Sequence, residues 1–116
     1  MTALTLSLLA KDLVATRAFY ERLGFCLSGG DPSSGWMELM RGGAVLQFYD
    51  EAPIGAPSAP ALSGTIYLRV DDVDALAKSV AGQTAFEWGP ETMDYGMREF
   101  ALRDPNGYLI AFSAAA

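Results

Sequence analysis

Histidine is absent from all 116 residues of this chain, and that gap removes a large part of enzyme chemistry. Imidazole is the side chain that most often moves protons near neutral pH, activates serine or cysteine nucleophiles and ligates catalytic zinc. Cysteine is almost as scarce. Cys26 stands alone, so no disulfide closes within the chain and a reducing, cytoplasmic setting is expected. No imidazole is available to turn that thiol into a nucleophile. Positive charge is thin: eight Lys and Arg face fourteen Asp and Glu, for a net charge of −6 and a pI near 4.4. A nucleic-acid surface needs a basic stripe, so nucleic acid is not expected as a partner. An acidic balance suits a cationic ligand, although most of it is ordinary solvated surface. Long apolar runs are missing too, none approaching the ~20 residues of a membrane span. The run Ala3–Ala10 alternates and has no basic residue ahead of it, so it reads as a strand and not as a signal-peptide core. No membrane partner is expected. Neither an EF-hand spacing nor a P-loop occurs.

What is present is an ordinary globular composition, 51% apolar. A chain of this length makes one domain that buries roughly two thirds of its unfolded surface. The domain is internally repeated. Thr5–Leu13 (TLSLLAKDL) and Thr65–Val73 (TIYLRVDDV) lie sixty residues apart and keep Leu6/Ile66, Leu8/Leu68 and Leu13/Val73 in phase. Each is an alternating strand that runs into an aspartate, Asp12 or Asp72, suited to cap a helix N-terminus. The first helix is predicted over about Val14–Leu23, with Val14, Ala18 and Phe19 inward and Gly24 as its stop. The second is predicted over about Val73–Val80, with Val73, Leu76, Ala77 and Val80 inward and Gly82 ending it. Met37–Phe48 then lines up with Phe100–Phe112, allowing one extra turn residue. Each half reads β-α-β-β-β. Module 1 covers about residues 1–50 and module 2 about 64–116, with the Pro-, Ala- and Ser-rich stretch 51–63 as linker.

The segment from Arg98 to Phe112 is the most specific. Two alternating strands flank Asp104-Pro105-Asn106-Gly107, where Pro presets one turn dihedral and Gly accepts a positive one. The wider string YGMREFALRDPNGYLIAF resembles the closing hairpin of the vicinal oxygen chelate superfamily. That superfamily holds glyoxalase I, extradiol dioxygenases, fosfomycin-resistance enzymes and bleomycin-resistance proteins. The wording REFALRDPxG is most similar to the bleomycin-resistance branch. The strand-plus-Asp-Leu opening and Ala18-Phe19-Tyr20…Leu23-Gly24-Phe25 support the resemblance, which covers nearly the whole chain. It implies an α+β fold in which two βαβββ modules form a curved eight-stranded mixed sheet around a cavity, helices outside.

Metal-dependent members of that superfamily hold their ion with one side chain from each of four strands, usually His or Glu. Carried over residue by residue, those positions are Thr5, Gln47, Thr65 and Ala111. Two hydroxyls, an amide and a methyl are not the imidazole, thiolate or carboxylate donors that a transition metal wants. No metal and no cofactor is therefore expected. Asp71, Asp72 and Asp74 are clustered, but at a helix start, where carboxylates favour the dipole and cap free N–H groups.

Alternation sorts the strand residues into faces. With Gln47 and Thr65 turned to the pocket, Thr5, Ser7, Leu9, Val45, Tyr49, Tyr67, Arg69, Leu109, Ala111 and Ser113 share that side. Leu4, Leu6, Leu8, Leu46, Phe48, Ile66, Leu68, Val70, Ile110 and Phe112 then pack under the helices. Met37, Leu39, Phe100 and Leu102 join that core, which leaves Trp36, Glu38, Glu99 and Arg103 toward the cavity. Phe86 and Trp88 share a face of another strand, and Tyr95 lies in the loop before the last hairpin. The candidate ligand-binding set is Trp36, Glu38, Gln47, Tyr49, Tyr67, Arg69, Trp88, Tyr95 and Glu99. Its aromatic members suit flat or cationic groups. Against this stand plainer roles: Phe86 and Trp88 as core, and Glu38 and Glu99 paired with Arg69 or Arg103 across strands.

Bleomycin-resistance proteins are likewise acidic, hold no metal through the protein and bind a large cationic glycopeptide in grooves of a dimer. The resemblance thus implies a metal-free homodimer that sequesters a small aromatic compound, cationic in one version, with antibiotic resistance of the bleomycin type as its sharpest form. The alternative is a metal-independent lyase or isomerase on the same fold, with acid–base work falling to Glu38, Glu99 or Tyr67. A ligand-sensing or partner module that kept the fold and lost the chemistry is a third reading.

Overall fold

Alternating strands, aspartate caps and glycine stops assemble as the repeat predicts. The computed structural model describes residues 2–116. The chain forms two compact units that divide between Ala61 and Leu62. The first unit contains β1 (Thr5–Leu9), α1 (Leu13–Arg22), β2 (Cys26–Asp31), β3 (Trp36–Arg41) and β4 (Ala44–Tyr49). The second contains β5 (Ile66–Arg69), α2 (Val73–Val80), β6 (Phe86–Thr92), β7 (Met97–Arg103) and β8 (Leu109–Ala115). Both are βαβββ. The eight strands are hydrogen-bonded as two four-stranded mixed sheets, β1-β4-β3-β2 and β5-β8-β7-β6, where a single eight-stranded sheet was implied. In each, the first and last strands run parallel and the other pairs antiparallel.

The caps are identical in kind. Asp12 accepts from the amide of Ala15 and Asp72 from that of Ala75, both at 3.0 Å. These bonds satisfy helix-start donors that would otherwise lack a partner. α2 has the predicted limits and buries Val73, Ala77 and Val80, with Leu76 half-buried. α1 buries a different stripe from the one predicted: Leu13, Thr16, Phe19 and Tyr20, while Val14 is 70% exposed and Ala18 is also outside. Leu13, Thr16 and Tyr20 lie at helical spacing on one face, in line with the buried C-cap residue Leu23. Thr16 is tolerated there because its hydroxyl donates to the Asp12 carbonyl at 2.7 Å.

The core of each unit lies between helix and sheet. In the first, Tyr20 packs against Phe19, Phe25 and Phe48 at centroid distances of 5.2, 5.3 and 5.2 Å, over buried Met37, Leu39 and Leu46. In the second, Phe100 stacks on Phe112 and meets Phe86, each at 5.0 Å, beside Leu102 and Ile110. Leu4, expected in the core, precedes β1 and is exposed, and Leu9, expected on the pocket side, is buried. The Asp104–Gly107 turn closes as predicted: Gly107 (φ 91°) donates to the Asp104 carbonyl, and Asp104 Oδ1 accepts from the amides of Asn106 and Tyr108.

One irregularity recurs and redirects side chains. β2 carries a bulge between Leu27 and Gly29, and β6 one between Phe86 and Trp88. Because of the second, Phe86 stands opposite Leu102 and Trp88 opposite Ala101, neighbours on β7 that face opposite ways. Phe86 and Trp88 therefore do not share a face. Phe86 is core, and Trp88 turns to the other side of the sheet. Among the described residues no helix is long and apolar enough to cross a membrane.

Candidate functional site

In the first unit, register brings three of the predicted residues into one neighbourhood. Ser7, Gln47 and Glu38 lie side by side on β1, β4 and β3. Gln47 Nε2 donates to Glu38 Oε1 at 3.0 Å, and Ser28 Oγ donates to Oε2 at 2.9 Å. The Gln47 bond first and the Ser28 bond second hold the Glu38 carboxyl below its ordinary value, against a smaller desolvation effect. Both donors are neutral, so the negative charge is stabilised without being cancelled. Trp36 and Tyr49 are register partners on the next row, and Trp36 is 44% exposed. The missing side chain of Gly29 leaves space between them and Glu38. A β-carbon there would lie 3.6 Å from Cη2 of Trp36 and 3.8 Å from Oε2 of Glu38. The indole and the carboxylate thus flank the same point of β2.

In the second unit, Tyr67, Arg69, Tyr95, Met97, Glu99 and Ser113 line a cavity of about 490 Å³. Arg69, Ser113 and Glu99 form one row across β5, β8 and β7, and Glu91 of β6 continues it. Glu99 is only 2% exposed. Its Oε2 accepts from the Tyr95 hydroxyl at 2.7 Å, and its Oε1 accepts a longer bond from Tyr67 at 3.4 Å. The bond to Glu99, reinforced by desolvation and by the carboxylate's charge, pushes the Tyr95 phenol well above its ordinary value.

The plainer pairing of glutamates with arginines is not what forms. Arg103 pairs with Glu87 at 3.4 Å and donates to the Gly107 carbonyl at 2.8 Å, away from the cavity. The Arg69 side chain has neither a hydrogen bond nor an ion pair among the described residues. Of the predicted set, Trp88 stands apart from this cavity, and its buried indole Nε1 has no partner among the described residues. Two participants escaped sequence reading. Met97 sits two residues before Glu99 on β7, so alternation indicates it once the strand is started early enough. Ser28 was hidden by the bulge, for which Gly29-Gly30 is the available signal.

Metal chemistry finds no donors at the inherited positions. Gln47 is engaged with Glu38, Ala111 is fully buried and offers only a methyl, and Thr5 and Thr65 offer neutral hydroxyls. Among the described residues no group of three or more His, Cys, Asp or Glu is placed to hold an ion. The Asp71–Asp74 cluster has structural work: Asp72 caps α2, and Asp74 binds Arg98 through two bonds of 2.9 and 3.2 Å.

The model of the glyoxalase/bleomycin resistance protein/dioxygenase superfamily matches residues 3–112. A bleomycin resistance protein of Klebsiella pneumoniae is 36% identical over 114 residues, covering 91% of this chain and 86% of that protein. A bleomycin-binding protein solved in complex with bleomycin matches with a TM-score of 0.73 and 29% identity over 100% of both chains. A bleomycin resistance determinant encoded on the transposon Tn5 matches with a TM-score of 0.73 and 31% identity, covering 99% of this chain and 98% of that one. With the repeat, the closing hairpin and a match running almost from end to end, the chain belongs to the glyoxalase/bleomycin resistance protein/dioxygenase superfamily.

Proposed function

We propose that this protein binds and sequesters a small aromatic cation of the bleomycin type, without a protein-held metal and without converting it. The observation that carries this reading is the condition of its two candidate carboxylates, one in each unit. Glu38 and Glu99 are fixed by neutral amide and hydroxyl donors, and among the described residues no arginine or lysine forms an ion pair with either. A carboxylate withdrawn from water without a cation is costly, and a bound cation relieves that cost. Each carboxylate has aromatic neighbours: Trp36 beside Glu38, and Tyr67 and Tyr95 on Glu99. A cation over an aromatic face gains about 0.5–2 kcal/mol, depending on desolvation. The names of the relatives support the drug-resistance role, since two are bleomycin resistance proteins and one was solved with bleomycin bound.

Acid–base turnover is the less favoured reading. A carboxyl held below its ordinary value is a weak base, and a phenol held above its ordinary value is a weak acid. We take the protein to act as a cytoplasmic homodimer. The exposed apolar side chains of Trp36, Met40 and Tyr67 and the unpaired Cys26 support that assignment. Sedimentation at micromolar concentration should report twice the chain mass.

Titrating bleomycin while following heat and tryptophan fluorescence tests the function, with the ligand recovered afterwards for mass analysis. Saturable binding of an unchanged ligand is expected, weakening as salt rises because the attraction is screened. Absence of saturable binding, or a recovered ligand of altered mass, overturns the proposal.

A further inference from the structure

The two units share one register, and the comparison exposes a row of side chains that the repeat alone does not account for. In the first unit, Leu9, Tyr49 and Trp36 stand side by side across β1, β4 and β3. The corresponding row of the second is Arg69, Ser113 and Glu99 across β5, β8 and β7. Both rows end beside a left-handed glycine: Gly30 (φ 66°) lies against the Trp36 carbonyl and Gly89 (φ 74°) against the Glu99 carbonyl. One frame thus carries an apolar and aromatic row once and an ionic row once. The ionic row runs on to Glu91, directly opposite Glu99. It is positive at one end and negative at the other.

An arginine and a glutamate on one face, two strands apart, are about 10 Å apart at their Cα atoms. Their long side chains ordinarily close such a gap. Here Glu99 is turned to Tyr95 and Tyr67, and Arg69 is left without a partner among the described residues. The 490 Å³ cavity is bounded by both. We propose that this cavity receives a zwitterionic group, with Arg69 on a carboxylate and Glu99 on an ammonium of the same ligand. The inference rests on the binding function above and narrows its ligand from a cation to an ampholyte.

The chemistry of each group fits. A guanidinium presents a planar fork that matches a carboxylate with two parallel bonds. A carboxylate has about four lone-pair sites, so Glu99 keeps acceptor capacity after its two tyrosine bonds. Those bonds fix its orientation before the ligand arrives. A ligand bearing only an ammonium meets Arg69 as a like charge, and one bearing only a carboxylate meets Glu99 and Glu91. Selection therefore acts against both half-charged analogues.

Three probes share one ring and differ only in charge: phenylalanine, phenethylamine and 3-phenylpropionate. Each is titrated into the ¹⁵N-labelled full chain, with the backbone amides of Tyr67, Arg69, Glu99 and Ser113 followed by NMR. Phenylalanine is expected to bind about three- to tenfold tighter than either analogue. Arg69→Ala should erase its advantage over phenethylamine, by weakening phenylalanine and by tightening phenethylamine as the like charge is removed, and Arg69→Lys should restore part of that advantage. Glu99→Gln, which keeps shape and removes charge, should erase the advantage over 3-phenylpropionate. Phenethylamine binding as tightly as phenylalanine, or a preference that survives Arg69→Ala, overturns the inference. Bleomycin is titrated into the same samples. If it binds while the three probes go unranked, the sequestering function stands and the zwitterion site falls; if neither it nor any probe binds, both fall.

Discussion

The side-chain amide of Gln47 donates to Oε1 of Glu38 at 3.0 Å, across the β3–β4 ladder. Gln47 occupies a position where metal-dependent relatives carry a ligand. Here a neutral amide takes that place, and it orients the neighbouring carboxylate and favours its ionised form. The exchange needs no change in the strand, because only the group at the end of the side chain differs.

The first prediction follows from that bond. Glu38 should titrate below its ordinary value of 4.5, and Gln47→Leu should raise its midpoint toward it. Ser28→Ala should do the same to a smaller extent. The sign is that of a depressed acid: the contribution to stability is complete above the unfolded value and is lost as pH falls through the folded one. Cation binding that depends on Glu38 should fail at a lower pH in the wild type than in Gln47→Leu. Side-chain carboxyl NMR across pH 2–6 measures the midpoints directly (about the range over which carboxylates titrate). Identical Glu38 midpoints in the two proteins would contradict the structure.

A second prediction concerns Tyr95. Its phenol is held well above 10.0 by the bond to Glu99 and that carboxylate's charge. Absorbance at alkaline pH should therefore show one tyrosine that does not ionise with the others. Glu99→Gln should return it to the common transition. For a phenol raised in this way, the stabilisation is present below the unfolded value and is lost only as pH rises through the folded one. A wild-type titration in which all five tyrosines ionise together sinks this assignment.

Much of this architecture was legible because its signals are local and repeated. Strand alternation, two aspartate caps and the Asp104–Gly107 turn lie in the text, and α2 has the predicted limits. The face of α1 was misread because Val14 and Ala18 are as apolar as the residues that are buried. The stripe that is buried is set by what packs against the helix, which local apolarity does not specify. The bulge at Phe86–Trp88 defeated alternation, since one extra residue reverses the side chains that follow it, here until the second register shift between Trp88 and Glu91. At the site, alternation placed Glu38 with Gln47 and Tyr67 with Glu99 on their correct faces. It did not show that Arg103 would pair with Glu87, nor that the Arg69 side chain would have no partner among the described residues. Long charged side chains select partners by position in three dimensions, which a period of two does not specify.

The adjacent glycines of β2 give a third prediction. Gly30 has φ 66°, and a β-carbon there would come within 2.6 Å of the Trp36 carbonyl oxygen. Gly30→Ala should therefore cost about 1–3 kcal/mol, the usual range for a forced backbone conformation. Gly29→Ala meets only ordinary contacts of 3.5 and 3.6 Å and should change stability by less than ~0.5 kcal/mol. Its methyl would nevertheless fill the space between the Trp36 indole and Glu38, so it should weaken bleomycin binding. Thermal denaturation and calorimetry on the two variants separate stability from affinity. Equal stability losses in the two would remove this account of the glycine pair.

The last prediction tests whether Trp36 and Glu38 act on one ligand group. Cη2 of Trp36 and Oε2 of Glu38 lie 3.6 and 3.8 Å from the same point above Gly29, so a cation stacked on the indole sits beside the carboxylate. Trp36→Ala should weaken bleomycin binding several-fold, in line with the ~0.5–2 kcal/mol of a cation on an aromatic face. Because Trp36 is 44% exposed, its loss should affect stability less than affinity. Glu38→Gln keeps the shape and the neighbouring strands, so it should weaken binding and flatten the salt dependence, with a fall in melting temperature limited to the loss of the charge-assisted bonds from Gln47 and Ser28. The double variant should then lose less than the sum of the two single losses, since removing either partner already releases the cation from the shared position. Dissociation constants for the four proteins at two salt concentrations complete the cycle. Strict additivity would mean that the two side chains touch different parts of the ligand, and an unchanged affinity in Trp36→Ala would remove the indole from the site altogether.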